Sequence, residues 1–190
     1  MKSKLLLTLL CIFIFACHTP ETQLSAVHKS NPVTKEYIRW DSVKLNGSIS
    51  MVSSFNMALN RLGKPDSTIV PDYNDVSASY WNGKFKYCYF RGVQFEKYRD
   101  SIAFSSINFS KSPEWFLSYK NIKFNGKTTI DNFKKLFPIS AEKKELHGTS
   151  IDKNQWIRID TSPDQSDDAW IFLFNRDTGK LISVDHWIDD

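Results

Sequence analysis

Two stretches of the chain carry one pattern. The first runs Val43-Lys44-Leu45-Asn46-Gly47 and continues Ile49-Ser50-Met51-Val52-Ser53-Ser54-Phe55-Asn56-Met57-Ala58-Leu59-Asn60-Arg61-Leu62-Gly63. The second runs Asn121-Ile122-Lys123-Phe124-Asn125-Gly126 and continues Thr128-Thr129-Ile130-Asp131-Asn132-Phe133-Lys134-Lys135-Leu136-Phe137-Pro138. Each is an apolar strand-like step, an Asn-Gly turn and an amphipathic helix. Val52, Phe55, Ala58, Leu59 and Leu62 share one helical face in the first copy, and Ile130, Phe133, Leu136 and Phe137 do so in the second. Ser48 or Ser50 is placed to cap the first helix and Thr128 or Thr129 the second, where a hydroxyl accepts a bond from an otherwise unpaired amide. Gly63 and Pro65 end the first helix. A constant offset of 78 carries Val52, Phe55, Ala58 and Leu59 onto the second stripe.

Aromatic-rich strands follow each helix. Val76 to Trp81 meets Asn82-Gly83, a dipeptide suited to a tight hairpin, and Lys84 to Phe90 returns. Arg91-Gly92 and Arg99-Asp100 break the next alternating runs, Val93 to Tyr98 and Ser101 to Phe109. In the second copy the strands are Gln155 to Asp160, Ala169 to Asn175 and Lys180 to Trp187, with Arg176-Asp177-Thr178-Gly179 as a hairpin turn. Short connections between successive strands predict an antiparallel sheet with one face buried. The expected fold is therefore α+β: two tandem units, each a helix region packed on an antiparallel meander, sharing one continuous sheet. Residues 41–112 form the first unit, 113–120 an aromatic connector and 121–190 the second unit.

At 190 residues, 41% hydrophobic and 14% aromatic, the chain has enough apolar surface for a sizeable core. The first residues read as a targeting leader. Lys2 and Lys4 precede an apolar run, Leu5 to Phe15, that is too short for a membrane span of about 20 residues. Removing those two lysines leaves 23 basic against 21 acidic side chains, from the 25 and 21 of the whole chain. That balance has no basic stripe for nucleic acid. Residues 17–40, rich in Thr, Ser, Pro and Lys, read as a flexible tether.

The leader ends Ile14-Phe15-Ala16-Cys17, which resembles the lipobox of bacterial lipoproteins. The resemblance implies a signal peptide at 1–16, cleavage before Cys17 and a lipid anchor on Cys17. Several acyl chains give stable membrane attachment where one is marginal. The expected location is the periplasmic side of the envelope, at the outer membrane. Cys88 would then be the sole remaining thiol, which excludes an intramolecular disulfide, and its alternating surroundings make it a buried structural residue. The helix exit Leu62-Gly63-Lys64-Pro65-Asp66, followed by a Trp- and Tyr-rich meander, resembles the small outer-membrane assembly lipoproteins of the SmpA/OmlA type. Two such units in tandem look like the beta-lactamase-inhibitor-protein fold. That likeness implies a pair of helices per unit, whereas the residues predict one in each.

No catalytic set stands out. His18, His28, His147 and His186 are scattered, and there is no His-Glu-x-x-His, paired-Cys, Gly-rich phosphate or Gly-x-Ser-x-Gly motif. His186 between carboxylates reads as a solvated strand end. Asp164, Asp167 and Asp168 lack the spacing of a calcium loop. No metal and no cofactor is expected. The expectation is a lipid-anchored binding or scaffold protein that contacts an envelope protein and the membrane, but not nucleic acid. The alternative is an inhibitor or immunity-type lipoprotein blocking a hydrolase or toxin. Candidate partner-contact residues are Trp115, Phe116 and Tyr119 in the connector, and Asp164, Asp167 and Asp168 in the loop Thr161 to Asp168.

Overall fold

The computed structural model describes residues 35–76, 78–143, 154–164 and 167–188. Cys17, the leader and the tether up to residue 34 lie outside the described residues. A single 3-10 turn, Trp40–Ser42, precedes β1 (Val43–Leu45), β2 (Ile49–Ser50) and β3 (Val52–Ser54). Then come α1 (Phe55–Leu62), β4 (Ser67–Ile69), β5 (Lys86–Phe90), β6 (Val93–Tyr98) and β7 (Ser101–Asn108). The second half holds β8 (Leu117–Tyr119), β9 (Ile122–Phe124), α2 (Ile130–Leu136), α3 (Pro138–Glu142), β10 (Asn154–Asp160), β11 (Ala169–Asn175) and β12 (Leu181–Trp187). The class is α+β, dominated by antiparallel strands.

An eight-stranded sheet runs in the order β10-β11-β12-β7-β6-β5-β4, with β3 also paired to β7. β7 and β12 meet antiparallel through Ser183 opposite Asn108, Val184 opposite Ile107 and Asp185 opposite Ser106. A four-stranded sheet runs β2-β1-β8-β9. One side of the large sheet supplies Phe95, Phe104, Ile107, Val184, Phe172 and Ile157 to a single core. The small sheet and helices α1, α2 and α3 feed that same core, through residues such as Leu45, Phe124, Ala58, Phe133 and Ala141. Phe133 sits at 0% exposure among the rings of Phe124, Phe137, Phe172 and Phe174. The described residues from 35 onward form one compact unit.

Two register shifts keep the core side continuous. Gln94 faces Ser106 and Phe95 faces Phe104, so Ser105 is an extra residue that lets both Ile107 and Phe104 point inward. On β12 the shift after Leu173 lets Val184 and Leu181 do the same.

Several local expectations are corrected. The first helix begins at Phe55, not Ile49, and its cap is Ser54, whose hydroxyl accepts from Met57 N. Ile49 and Val52 belong to strands that pair with β1 and β7, so pairing takes precedence over helical periodicity there. Aligned by their caps, Ser54 and Thr129, the helices are offset by 75 rather than 78, and buried Ala58 and Leu62 match Phe133 and Phe137. Asn46-Gly47 does form a tight turn, with φ of 49° and 72°. Asn125 instead bends the chain through its side chain, accepting from Lys127 N. No strand covers residues 78–85; β5 pairs with β4, which directly follows the helix exit at Asp66. The connector holds β8, and α3 is an additional short helix begun by Pro138, with Glu36 accepting from Ile139 N and Ser140 N. The tether does not extend through residue 40: Ile38 is 1% exposed and its carbonyl accepts from Trp170 Nε1. Ordered packing therefore begins before Trp40.

Phe133→Ala should destabilise the protein by about 3–5 kcal/mol in one cooperative transition, measured by urea denaturation. Two glycines should separate two costs. A Cβ on Gly92, at φ 83°, would meet Lys111 Cβ and Ser112 Oγ at 2.7 Å, whereas one on Gly63, at φ 85°, meets nothing within 4 Å. Gly63→Ala should therefore cost about 1 kcal/mol from backbone strain alone, and Gly92→Ala distinctly more.

Candidate functional site

Side chains alternate across a strand, so the large sheet has a second face. The helices and the small sheet bury their apolar residues in the core, on the first face. On the second face Trp156, Arg158, Leu173, Asp185, Gln94, Tyr87 and Tyr89 are half-exposed, and Trp187 is 47% exposed. Ala103, Ala169 and Ile171 are buried there outside the core cluster, screened by taller neighbours. The strand registers give one row straight across this face: Arg158, Ile171, Asp185, Ser106, Gln94 and Tyr89.

The loop 70–85 lies against one end of the face. Tyr80 N donates to Glu96 Oε2 at 3.0 Å, Trp81 Nε1 donates to the Glu96 carbonyl, and the Trp81 ring stacks on Tyr98. Tyr73 OH donates to the Phe85 carbonyl. Glu96 is only 7% exposed, and burial pushes its pKa up to about 7 against the help of the Tyr80 amide. Burial and the Glu96 carboxylate together raise Tyr87. Asp185 has a different surrounding. Its Oδ2 accepts from Ser183 Oγ at 3.2 Å, and burial lifts its pKa to about 6. At the β10 edge, Arg158 and Lys35 both pair with Asp160, at 3.3 and 2.8 Å.

Of the expected contact residues, Trp115 and Tyr119 are each 5% exposed and belong to the core, so they are corrected from partner contacts to packing residues. Phe116 is half-buried beneath Lys123 Nζ, 4.7 Å from its ring centre. Asp164 and Asp167 are exposed, and Asp168 is half-buried with its pKa raised by burial and by Asp167. Trp115 and Tyr119 point into the core, so of the connector aromatics only Phe116 is left partly exposed. His186 is not a solvated strand end. Its ring stacks on Trp40 at 3.7 Å between centroids, and burial lowers its pKa to about 4. Cys88 is fully buried, within 3.6 Å of Thr68 Oγ1. Asp66, in the Leu-Gly-Lys-Pro-Asp stretch, accepts from Arg91 N and ties the helix exit to the β5–β6 turn.

Sequence reasoning missed Asp185, Trp156 and Trp187 as surface residues. The signal was available as strand parity: Asp185 and Trp187 alternate with inward Val184 and His186. Among the described residues, no group of three His, Cys, Asp or Glu side chains could hold a metal, and no helix is long and apolar enough to cross a membrane. Comparison with family models, curated proteins and solved structures finds no match to this chain.

Because Glu96 has a raised folded pKa, its stabilising share is full below about pH 4.5 and is lost as pH rises through about 7. Glu96→Gln keeps an acceptor for Tyr80 N and removes the buried charge. The variant should be more stable than the parent at pH 8, on the order of 2–3 kcal/mol, with the gap closing by pH 4.5. Urea midpoints at the two pH values measure it, and equal gaps at both would contradict the assignment.

Proposed function

We propose that this chain is a lipid-anchored cell-envelope protein that binds another protein through the second face of its large sheet and performs no catalysis. The observation that carries the reading is that face itself. It combines Trp156, Trp187, Tyr87 and Tyr89 with few charges, and the helices lie on the other side. Aromatic residues dominate interface energies because they bury large rigid area at low entropic cost. The anchor rests on Lys2, Lys4, the apolar run and Ala16-Cys17, which together address the chain to the periplasmic side of the outer membrane. The tandem architecture belongs to the same proposal. The third strand of each three-strand run, β7 and β12, meets the other at the centre, and the caps Ser54 and Thr129 open equivalent helices. The likeness to the SmpA/OmlA-type and inhibitor-like folds is part of this proposal and would add a pair of helices in each unit. The inhibitor or immunity reading draws support from exposed Asp164 and Asp167 at the β10–β11 connection.

Cys17→Ser should move the protein from the membrane fraction to the soluble periplasmic fraction. A variant still held in membranes would contradict the anchor. Affinity capture from detergent-solubilised envelope, read by mass spectrometry, should recover a partner that Trp156→Ala with Trp187→Ala loses while the fold is kept. Loss on Asp164→Asn with Asp167→Asn instead would favour the inhibitor reading.

A further inference from the structure

We propose that the second face of the sheet takes a basic segment of its partner, with an arginine or lysine side chain seated against Asp185. The inference rests on that face being the binding surface and adds the chemistry of what binds. Asp185 lies mid-row on this face. Its neighbour across β7 is Ser106, its neighbour across β11 is Ile171, and Ser183 lies two residues back on its own strand. Asp185 is half-buried rather than covered, small serines flank it, and exposed Trp187 lies two residues on.

No cation answers it from the described part of this face. Arg158 is two strands away in the same row and is engaged by Asp160, as is Lys35. The other charged and titratable groups on the face are Glu96, whose carboxylate takes the Tyr80 amide under the loop 70–85, and the phenols Tyr87, Tyr89 and Tyr98. The central polar groups, Ser183, Ser106 and Gln94, are neutral. An anionic partner would meet only repulsion at the centre, whereas a cation gains a charge-assisted hydrogen bond and an aromatic ring nearby. The desolvation that raises the Asp185 pKa is repaid when a cation arrives, so binding should weaken as pH falls through about 6.

The probe is an acetylated, amidated hexa-arginine peptide, titrated into the full chain in detergent and followed by NMR and calorimetry at pH 8 and pH 5. A hexa-glutamate peptide is the control. The expected result is saturable binding of hexa-arginine at pH 8, with shifts centred on Asp185, Trp187 and Gln94, and affinity about tenfold lower both at pH 5 and in Asp185→Asn. Asp185→Asn is isosteric and removes a buried charge, so an unchanged or raised Tm confirms that the fold is kept. Equal affinity in Asp185→Asn, or shifts centred on Asp164 and Asp167, would overturn the inference. The envelope capture separates the two layers. If Trp156→Ala with Trp187→Ala loses the partner and Asp185→Asn does not, the face stands and the cation seat falls. If neither loses it, the face itself falls.

Discussion

The pairing of β7 with β12 is the constraint on which the rest depends. Three residue pairs, centred on Val184 opposite Ile107, join strands from the two halves of the chain into one sheet. Without that seam, β12 and the 106–108 end of β7 would each present unpaired backbone groups, which invite association with other chains. With it, the aromatic cluster around Phe133 and the cluster around Phe95 and Phe104 become parts of one interior. The bulge at Ser105 sits beside the seam. It switches the inward parity of β7 so that Ile107 packs beside Val184 while Phe104 still reaches Trp170.

Placing α1, α2 and α3 on one side has a consequence on the other. The second face keeps its solvent exposure without losing order, because its strands are held from beneath. Its buried small residues, Ala103 and Ala169, make room for taller aromatic neighbours, and the loop 70–85 closes one end over Glu96. In the proposed reading a surface held in order from beneath loses little entropy on binding.

Much of the fold was legible in the sequence where one signal acted alone. β11 was bounded correctly because Ala169 to Asn175 is a continuous apolar strand closed by a glycine turn at Gly179, φ 66°. The cap of α2 was narrowed to Thr128 or Thr129 because hydroxyls directly precede a helical stripe, and Thr129 is the one that accepts from Asn132 N. Legibility failed where two periodicities overlapped. Ile49 to Ser54 fits a helical face, but its residues pair with β1 and β7, and long-range pairing is not visible in local spacing. Asn82-Gly83 carries a hairpin signal, yet the preceding residues are spent on the Glu96 contact. The candidate site was half legible. Aromatic strands were evident, but which rings face inward depends on registers and bulges that only the assembled sheet sets. That is why Trp115 and Tyr119 were placed on the surface and Trp187 was passed over.

Native-state hydrogen exchange on the intact chain tests the seam most directly. If one sheet and one core unite both halves, the amides of β7, β11 and β12 should exchange only through global unfolding, with a single free energy and the same denaturant dependence. If the strands of residues 154–187 open together at lower cost while β5, β6 and β7 stay protected, the two halves are independent and the account of a shared core is wrong.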